Sequence, residues 1–577
     1  MKKKADHDRN RPQMELKKNM PVTWKQFERY WYILSLMVIV AGLPFSKLLL
    51  SIGQFMMAGG WVVGQSDYRT WLARMREGPA GRAVLLAVPV GVWVMFSGIA
   101  KGFRQFFSNR AALLFTSIML MHLAGLLWTT DFNYAMKDLR TKLPLFLLPL
   151  FLSTSGAFGK KAFYRFILLF VLAVLVRSLF NAWMIAVHHY VDIRDVSHNI
   201  SHIIFSLMLS LSIYALVYFL LKRNFCLLWQ KGIMLIILAW LLAYIIISQS
   251  FTGLSITLAI LIFLVPVLIF KSRNRWLKTG LGLGILVFNV TVFLFLRSVV
   301  GDYYQVNPID LTRLEKTTSR GNPYINSAFA TETENGNYLW IYIQWDELRG
   351  AWNKRSRIPF DSLNLKSGPV AYTVIRYLTS KGWRKDADAV EKLSPEEITA
   401  IEKGIANQIF LKKFGIRGRI YEFLWGFDNY RSTGNPTGST LMQRLEFWKA
   451  SLGIIRENWL TGVGTGDMNL AFDAQYEKMH TKLAPDQRWR SHNQFLSIFI
   501  GFGIFGLLWF LAAILYPPVM LRRFDDYFFF VFLIIFFLSM LMEDTIESQT
   551  GVTFAALFYS FFLFARKEKD PVFNQVI

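Results

Sequence analysis

Long apolar blocks with almost no charge constrain this chain more than any other feature of its sequence. Three examples are the segments 233–247, 254–270 and 528–542. A run of about 20 apolar residues crosses a bilayer as a helix, whereas a water-soluble fold needs short amphipathic stripes. The composition agrees, since 53% of the 577 residues are hydrophobic and the mean hydropathy is +0.32. The sequence therefore predicts an all-α polytopic membrane protein.

Positive charge is abundant, with 64 Lys and Arg against 39 Asp and Glu and a formal net charge of +25. Two interpretations compete: a nucleic-acid-binding surface, or the basic excess that cytoplasmic loops of membrane proteins carry. No DNA- or RNA-binding motif accompanies the charge, so we predict membrane lipids as partners and no nucleic acid. The single cysteine, Cys226, excludes an internal disulfide and a cysteine-rich metal site.

Basic segments also orient the helices. The segments 271–275 and 522–523, and the "ARKEK" near the C-terminus, mark the cytoplasmic face. Counting crossings back from the C-terminus then places His492 on the outer face. The apolar segments alternate consistently across the membrane if the one at 82–100, which contains Pro89, is interfacial or re-entrant. The sequence then predicts about 12 transmembrane helices.

The polar stretch between the two groups of apolar segments is too long for a connector, so we expect an ordered, mostly helical extracytoplasmic domain. One of its helices is predicted to begin at the N-cap Ser394, with Pro395 at the first helical position. The charged N-terminus lacks the features of a cleaved signal and is predicted to remain as a tail. The predicted organisation is a cytoplasmic tail (1–29), an N-terminal transmembrane bundle (30–297), the extracytoplasmic loop domain (298–490), C-terminal transmembrane helices (491–565) and a cytoplasmic tail (566–577).

A titratable histidine stands where this polar stretch gives way to an apolar segment, in RSHNQFLSIFIGFGIFG (490–506). His492 and Asn493 are followed by nine residues, then Gly503, two residues and Gly506. The spacing of the glycines predicts a helix surface that another helix approaches closely. A lone histidine at a helix entrance is more often an interfacial hydrogen-bonding residue than a catalyst. The residues around His492 therefore have to distinguish these two roles.

That pattern is similar to one in the O-antigen ligase and polymerase superfamily, bacterial membrane glycosyltransferases that use polyprenyl-pyrophosphate-linked glycans. Arg444, upstream of His492, matches the arginine of the family pattern, and "WLTGVGTGD" (459–467) resembles its glycine-rich turn. The resemblance implies an enzyme of the bacterial inner membrane. It also implies that the active site and the 298–490 domain face the periplasm.

The resemblance further implies catalytic roles for His492 and Arg444 and a substrate-binding role for Asn493. Many members of the family carry another arginine in a short outer turn, where this chain has Phe251. A different cation is therefore expected to bind substrate. The candidates are Arg194, Arg488 and Arg490.

The implied reaction moves a glycan from an undecaprenyl-pyrophosphate donor to an acceptor hydroxyl, and these residue types suit it. Arginine binds a leaving diphosphate bidentately, and imidazole is a base near neutral pH. Nearby arginines are expected to keep the imidazole of His492 neutral by like-charge repulsion. No acidic pair suggests a metal, so we predict transfer without metal or cofactor.

The acceptor is left open by the sequence. The lipid A core (a ligase), a second donor-linked glycan (a polymerase) and a protein hydroxyl (a protein O-oligosaccharyltransferase) suit the same chemistry, and we favour the ligase. A transporter or flippase of lipid-linked glycans is the alternative from a different class. Transporters usually have repeated halves with helices broken at the membrane midplane, and neither feature is evident in this sequence.

Overall fold

A computed structural model describes residues 24–66, 80–188, 196, 200–222, 227–248, 250–271, 275–310, 312–327, 332–411 and 416–566. In these residues the secondary structure is almost entirely helical, with one two-stranded antiparallel sheet. The chain divides into two compact units. The first comprises Met1–Arg275, Phe447–Thr481 and Pro485–Ile577, and the second comprises Trp276–Glu446 and Lys482–Ala484.

The N-terminal helices of the described chain all lie in the first unit. They are α1 (Trp24–Gly42), α2 (Lys47–Gln65), α3 (Ala80–Ser108), α4 (Arg110–Ala124), α5 (Phe132–Lys142), α6 (Pro144–Thr154), α7 (Lys160–Val187), α8 (His202–Leu221), α9 (Leu228–Ile247) and α10 (Phe251–Lys271).

The remaining elements follow in chain order, with a long helix first. They are α11 (Arg275–Tyr304), β1 (Thr333–Glu334), β2 (Asn337–Tyr338), α12 (Trp345–Arg355), α13 (Val370–Ser380), α14 (Ala387–Glu391), α15 (Pro395–Glu402), α16 (Ile416–Thr433), α17 (Thr440–Glu457), α18 (Met468–Lys478), α19 (Gln494–Met520), α20 (Tyr527–Met542) and α21 (Gln549–Leu563).

Seven helical segments of the described chain are long and apolar enough to cross a membrane, and three shorter apolar helices accompany them. The seven are Lys47–Gln65, Arg110–Trp128, Lys160–Val187, His202–Leu221, Leu228–Ile247, Lys278–Tyr304 and Gln494–Met520. The prediction of a polytopic, helical membrane protein is therefore confirmed, while the count of about 12 stays a prediction. The segment 82–100 lies within the single helix α3, and its position relative to the membrane also stays a prediction.

Aromatic and small side chains build the core of the first unit. Phe115 of α4 stacks on Tyr559 of α21 with ring centroids 3.9 Å apart, and both rings are buried. The helices α1 and α2 form a hairpin in which a Cβ on Gly53 would lie 2.6 Å from the side chain of Ile39. Close approach at a glycine is typical of membrane helices, which gain most of their association energy from packing and polar contacts.

The second unit contains its own apolar core around Trp352, Phe360 and Tyr377, each of which is fully buried. Its helix α15 begins as the sequence predicts: Ser394 caps the helix in a reciprocal capping box, and Pro395 occupies the first turn. The helix ends at Glu402 because Gly404 adopts a left-handed backbone with φ +79°.

Candidate active site

The helix α19, which follows His492, is broken rather than continuous. Gly503 has φ 65° and ψ −167°, outside the helical region, so the helix is interrupted there. The interruption leaves backbone carbonyls of α19 without a partner in the helix, and the glycine-rich turn bonds to them. The Val463 N–H donates to the Ile500 carbonyl at 2.8 Å, and the Gly464 N–H donates to the Gly501 carbonyl at 2.9 Å. The turn and the helix entrance therefore form one hydrogen-bonded unit.

Steric contact explains why glycine occupies these positions. A Cβ on Gly503 would lie 2.1 Å from the carbonyl oxygen of Leu460, and one on Gly462 would lie 2.4 Å from the backbone of Gly501. The sequence predicts that another helix approaches closely at Gly503 and Gly506. The structure shows close approach at Gly503, but to a backbone turn and at a break in the helix.

Asp467 fixes the other side of the glycine-rich turn. Its carboxylate accepts hydrogen bonds from the backbone N–H of Thr130 at 2.9 Å and of Asp131 at 2.8 Å. The hydroxyl of Thr465 donates to the carbonyl of His122 at 2.6 Å. These bonds attach the turn to the end of α4 and the start of α5, so the helix carrying Lys142 is held against the base of α19.

Asn493 caps the N-terminus of α19. Its Oδ1 accepts from the N–H groups of Phe495 and Leu496 at 3.0 and 3.2 Å, and its Nδ2 donates to the Leu541 carbonyl at 3.2 Å. A capping side chain satisfies backbone donors that the helix itself leaves unpaired. Asn493 therefore connects the start of α19 with the end of α20, and its predicted substrate-binding role stays a prediction.

His492 lies directly before this cap with a left-handed backbone, φ 45°. A positive φ is uncommon for residues other than glycine, and such strained residues concentrate at functional sites. Its Nδ1 lies 3.1 Å from Oε1 of Glu543, with the two side chains 30% and 18% exposed. The ring also packs against Phe447, with centroids 5.7 Å apart. A carboxylate thus lies within hydrogen-bond distance of the His492 ring.

Asp544 follows Glu543 and faces a pair of serines. The hydroxyl of Ser497 donates to Oδ1 of Asp544 at 2.7 Å, and the Ser491 and Ser497 hydroxyls lie 2.8 Å apart. Burial raises the pKa of the Asp544 carboxyl to about 6, because desolvation and the charge of Glu547 outweigh the bond from Ser497. Asp544 therefore carries a carboxyl with a raised pKa. The hydroxyls of Ser497 and Ser491 connect this carboxyl to the residue that precedes His492.

A buried ion cluster lies beside these residues. The ammonium of Lys142, 1% exposed, contacts the carboxylate of Asp138 and lies 2.9 Å from Oε2 of Glu547. Gln494, at the first turn of α19, donates to Glu547 at 3.2 Å and accepts from the Ile546 N–H at 2.9 Å. The cluster therefore joins α5, α19 and the turn between α20 and α21.

The ammonium of Lys142 contacts two buried carboxyls whose pKa values shift in opposite directions. Burial alone raises the pKa of Glu547, but the charges of Lys142 and Arg490 outweigh it, so the pKa of that carboxyl lies well below its ordinary value. Desolvation raises the pKa of Asp138 to about 7 despite its contact with Lys142. The two carboxyls therefore differ, with the pKa of Glu547 lowered and the pKa of Asp138 raised.

Arg490 is held on three sides. Its Nε donates to Oδ1 of Asn469 at 2.8 Å. Its guanidinium lies 4.7 Å from the ring centroid of Tyr134 and donates a hydrogen bond to the Tyr134 hydroxyl. Its Nη1 lies 3.6 Å from Glu547. A guanidinium fixed in this way is preorganised. It belongs to the same surface as the ion cluster and the base of α19.

The structure describes the other predicted cations less completely. Arg488 donates to Glu477, a largely exposed acid. Arg444 is a partly buried residue of α17 within the second unit, so its catalytic role stays a prediction. Arg194 lies outside the described residues, and at Phe251 the structure describes only the start of α10.

Sequence reasoning did not assign a role to Glu543, Asp544 or Glu547. A signal for them exists in "EDTIE" (543–547), an acidic run between two helices that contain no charged residue. Ionisable residues in such a position are costly and are usually functional. Within the part of the chain that the structure describes, no group of three or more His, Cys, Asp or Glu side chains is arranged to hold a metal ion.

Comparison with known protein families finds a match over part of the chain. Residues 404–511 match the sequence model of the O-antigen ligase family. The matched segment contains His492, Asn493, both glycines of the motif, Arg444 and the glycine-rich turn, so the resemblance noted from those residues is confirmed. The chain is thus a membrane protein with an O-antigen ligase domain, and that family comprises membrane enzymes that transfer glycans. No curated protein matches the chain.

Proposed function

We propose that this protein transfers a glycan from an undecaprenyl-pyrophosphate donor to an acceptor hydroxyl on the periplasmic face of the inner membrane, with His492 as the general base. The observation that carries the proposal is the contact between Nδ1 of His492 and the Glu543 carboxylate, 3.1 Å apart, inside the matched domain. The contact supports a role for the histidine in proton transfer.

A carboxylate opposite one ring nitrogen selects the tautomer of an imidazole. If Nδ1–H donates to Glu543, the lone pair lies on Nε2, which is the form a base requires. Within the described chain Nε2 makes no hydrogen bond, so it is available to an acceptor hydroxyl. The same carboxylate then stabilises the imidazolium that forms when the proton arrives.

The reaction is balanced without a nucleotide. The acceptor oxygen bonds to the anomeric carbon of the donor glycan while the bond from that carbon to the diphosphate breaks. The acceptor proton passes to Nε2 of His492, and polyprenyl diphosphate leaves with the electron pair. The leaving group carries the energy of transfer, and charge-assisted hydrogen bonds from arginine stabilise it.

Two arginines are proposed for that stabilisation. Arg490 is fixed by Asn469, Tyr134 and Glu547, so little side-chain entropy remains to be lost when it binds an anion. Arg444 is proposed from the family pattern, and it lies three residues before Phe447 in α17. We also propose Asn493 and Arg488 as substrate-binding residues and a reaction that needs no metal.

The acceptor is the open part of the proposal. We favour the lipid A core, as in a ligase. A polymerase or a protein O-oligosaccharyltransferase uses the same base and the same leaving group, so only the acceptor distinguishes them. A flippase of lipid-linked glycans is the rival of another class, and it moves the donor without forming a glycosidic bond.

The test uses the full chain in liposomes with a lipid-linked oligosaccharide, with and without lipid A core, and measures new glycosidic bonds. His492→Ala should reduce transfer by about 10²–10⁴-fold, the usual cost of losing a general base. Arg444→Ala should cost a comparable amount, and Arg444→Lys should rescue poorly because an ammonium lacks the planar fork. Transfer should persist in EDTA.

His480→Ala is the matched control, because His480 is an exposed histidine of the same unit that also has a left-handed backbone, φ 47°. It should transfer glycan as the parent does. Near-parental transfer by a well-folded His492→Ala protein would show that His492 is an interfacial residue. Donor translocation without any new glycosidic bond would favour the flippase.

A further inference from the structure

A buried cation that makes no ion pair with the described residues lies far along α7 from the basic start of that helix. Arg177 is 8% exposed, and Asn181, one turn later, is 0% exposed. Both belong to a candidate membrane span, Lys160–Val187. Residues four apart lie on one face of a helix, so the two polar groups share the face that packs into the bundle.

Arg177 makes no ion pair with the described residues, and the amide of Asn181 has no hydrogen-bond partner of normal geometry among them. The neighbour of the Arg177 guanidinium is the ring of Phe180, 5.6 Å from its centroid, and no carboxylate lies within ion-pair distance among the described residues. Both polar atoms of the Asn181 side chain are buried without a hydrogen-bond partner. An unpaired cation and an unpaired amide inside a membrane bundle are each costly, so a ligand is the physical expectation.

A third polar group completes the cluster. Tyr244 of α9 interacts electrostatically with Arg177 and lies beside Asn181. Tyr244 stands near the C-terminal end of α9, a few residues before Phe251, the position at which the family has a short outer turn. Arg177 lies about 15 Å along α7 from Val187, using the rise of a helix. Both observations place the cluster in the outer half of the predicted membrane.

We propose that Arg177, Asn181 and Tyr244 form an intramembrane site for the phosphate group of a lipid. The guanidinium binds phosphate oxygens bidentately, while the amide and the phenol add neutral donors. All three residues belong to candidate membrane spans, so an anion tethered to an apolar chain suits the site better than a free ion in water. The lipid is a polyprenyl phosphate or diphosphate, which rests on the proposed function, or a bilayer phospholipid.

The experiment measures lipid retained by the full chain in detergent by native mass spectrometry, with undecaprenyl diphosphate and phosphatidylglycerol as separate probes. Arg177→Gln should reduce retention of the bound lipid by about ten- to a hundredfold, the usual strength of charged hydrogen bonds. Arg165→Gln is the matched control, because Arg165 is an exposed arginine of the same helix. It should retain lipid as the parent does.

Selective loss of undecaprenyl diphosphate assigns the site to the donor, and equal loss of both probes assigns it to a bilayer phospholipid. Unchanged retention of both by Arg177→Gln overturns the proposal. A second measurement separates a structural role: without lipid, Arg177→Met with Asn181→Leu should raise the melting temperature, since an unfilled polar site is costly. A lower melting temperature with unchanged retention contradicts the proposal.

The proposed glycan transfer and the proposed lipid site can be contradicted independently of each other. His492→Ala should abolish transfer and keep lipid retention, so a protein that retains lipid but never transfers glycan contradicts the proposed function alone. Arg177→Gln with full retention, in a protein that still transfers glycan, contradicts the lipid site alone.

Discussion

The Oε1 atom of Glu543 lies 3.1 Å from Nδ1 of His492, although 51 residues separate them in the chain. The contact depends on two neighbouring structures. Asn493 ties the start of α19 to the end of α20 through the Leu541 carbonyl, and Gln494 bonds to Ile546 and Glu547 in the next turn. The histidine therefore has a carboxylate partner because α20 returns to the level at which α19 begins.

Glu543→Gln is expected to lower kcat by about 10²–10⁴-fold, because an amide can donate to Nδ1 and so place the proton on Nε2, which then cannot act as a base. KM should change little if Glu543 touches only the histidine. Steady-state transfer kinetics measure both. Glu457→Gln, an exposed glutamate of the same unit paired with Lys478, is the control and should transfer normally. Parental kcat in Glu543→Gln would remove the carboxylate from the mechanism.

Asp544 should make the stability of the protein depend on pH. Its pKa is raised to about 6 from an ordinary value of 3.8, so the folded protein binds more protons than the unfolded chain between these values. Stability is therefore expected to fall as the pH rises from about 4 to about 6, by about 3 kcal/mol in total, and to change no further above that window.

Asp544→Asn keeps an oxygen that accepts from Ser497 but no longer ionises. It should melt at a higher temperature than the parent at pH 8, and the difference should vanish near pH 4. Thermal unfolding in detergent over this pH range measures the effect. A variant that is less stable than the parent at pH 8 would contradict the proposed burial cost.

Lys142→Met should destabilise the protein by about 3–5 kcal/mol, because it removes the ammonium that lies 2.9 Å from the buried, ionised Glu547, while Arg490 lies farther away. Adding Glu547→Gln should recover part of the loss, since Asp138 already takes up a proton near neutral pH. Lys137→Met, an exposed lysine of the same helix, should have little effect. Equal melting temperatures for the two lysine variants would show that the cluster contributes no net stability.

The predicted orientation can be tested by cysteine labelling in a Cys226→Ser background. A cysteine at Lys392, exposed in the second unit, should react with an impermeant reagent added from the periplasmic side. A cysteine at Lys161, exposed at the basic start of α7, should react only after the membrane is permeabilised. The reverse pattern would place His492 on the cytoplasmic face and contradict the use of a periplasmic donor.

The sequence was sufficient for the parts of the fold that follow from local patterns. Apolar blocks predict membrane helices, and the Ser394–Pro395 pair predicts the start of α15, because both depend on residues close together in the chain. The motif around His492 likewise lies within one short segment. These features need no knowledge of tertiary contacts.

The partners of His492 could not be predicted in this way. Glu543 reaches the histidine only through the return of α20, and Lys142 reaches Glu547 across 405 residues. The expectation that arginines surround the histidine relied on proximity in sequence, since Arg488 and Arg490 precede it closely. Their side chains instead bond to Glu477, Asn469 and Tyr134, and a carboxylate occupies the position beside the ring.

Gly503→Ala is expected to be among the most damaging single substitutions in α19. The added Cβ would lie 2.1 Å from the Leu460 carbonyl oxygen, and the backbone has φ 65°. Overpacking typically costs about 1–3 kcal/mol and a left-handed alanine about 1–2 kcal/mol more. Gly501→Ala, two residues earlier, is the matched control because its Cβ would meet nothing closer than 3.7 Å. Thermal unfolding and transfer assays should therefore separate the two variants, with Gly501→Ala close to the parent in both. Comparable behaviour of the two would mean that the break at Gly503 is not needed to hold the glycine-rich turn under His492.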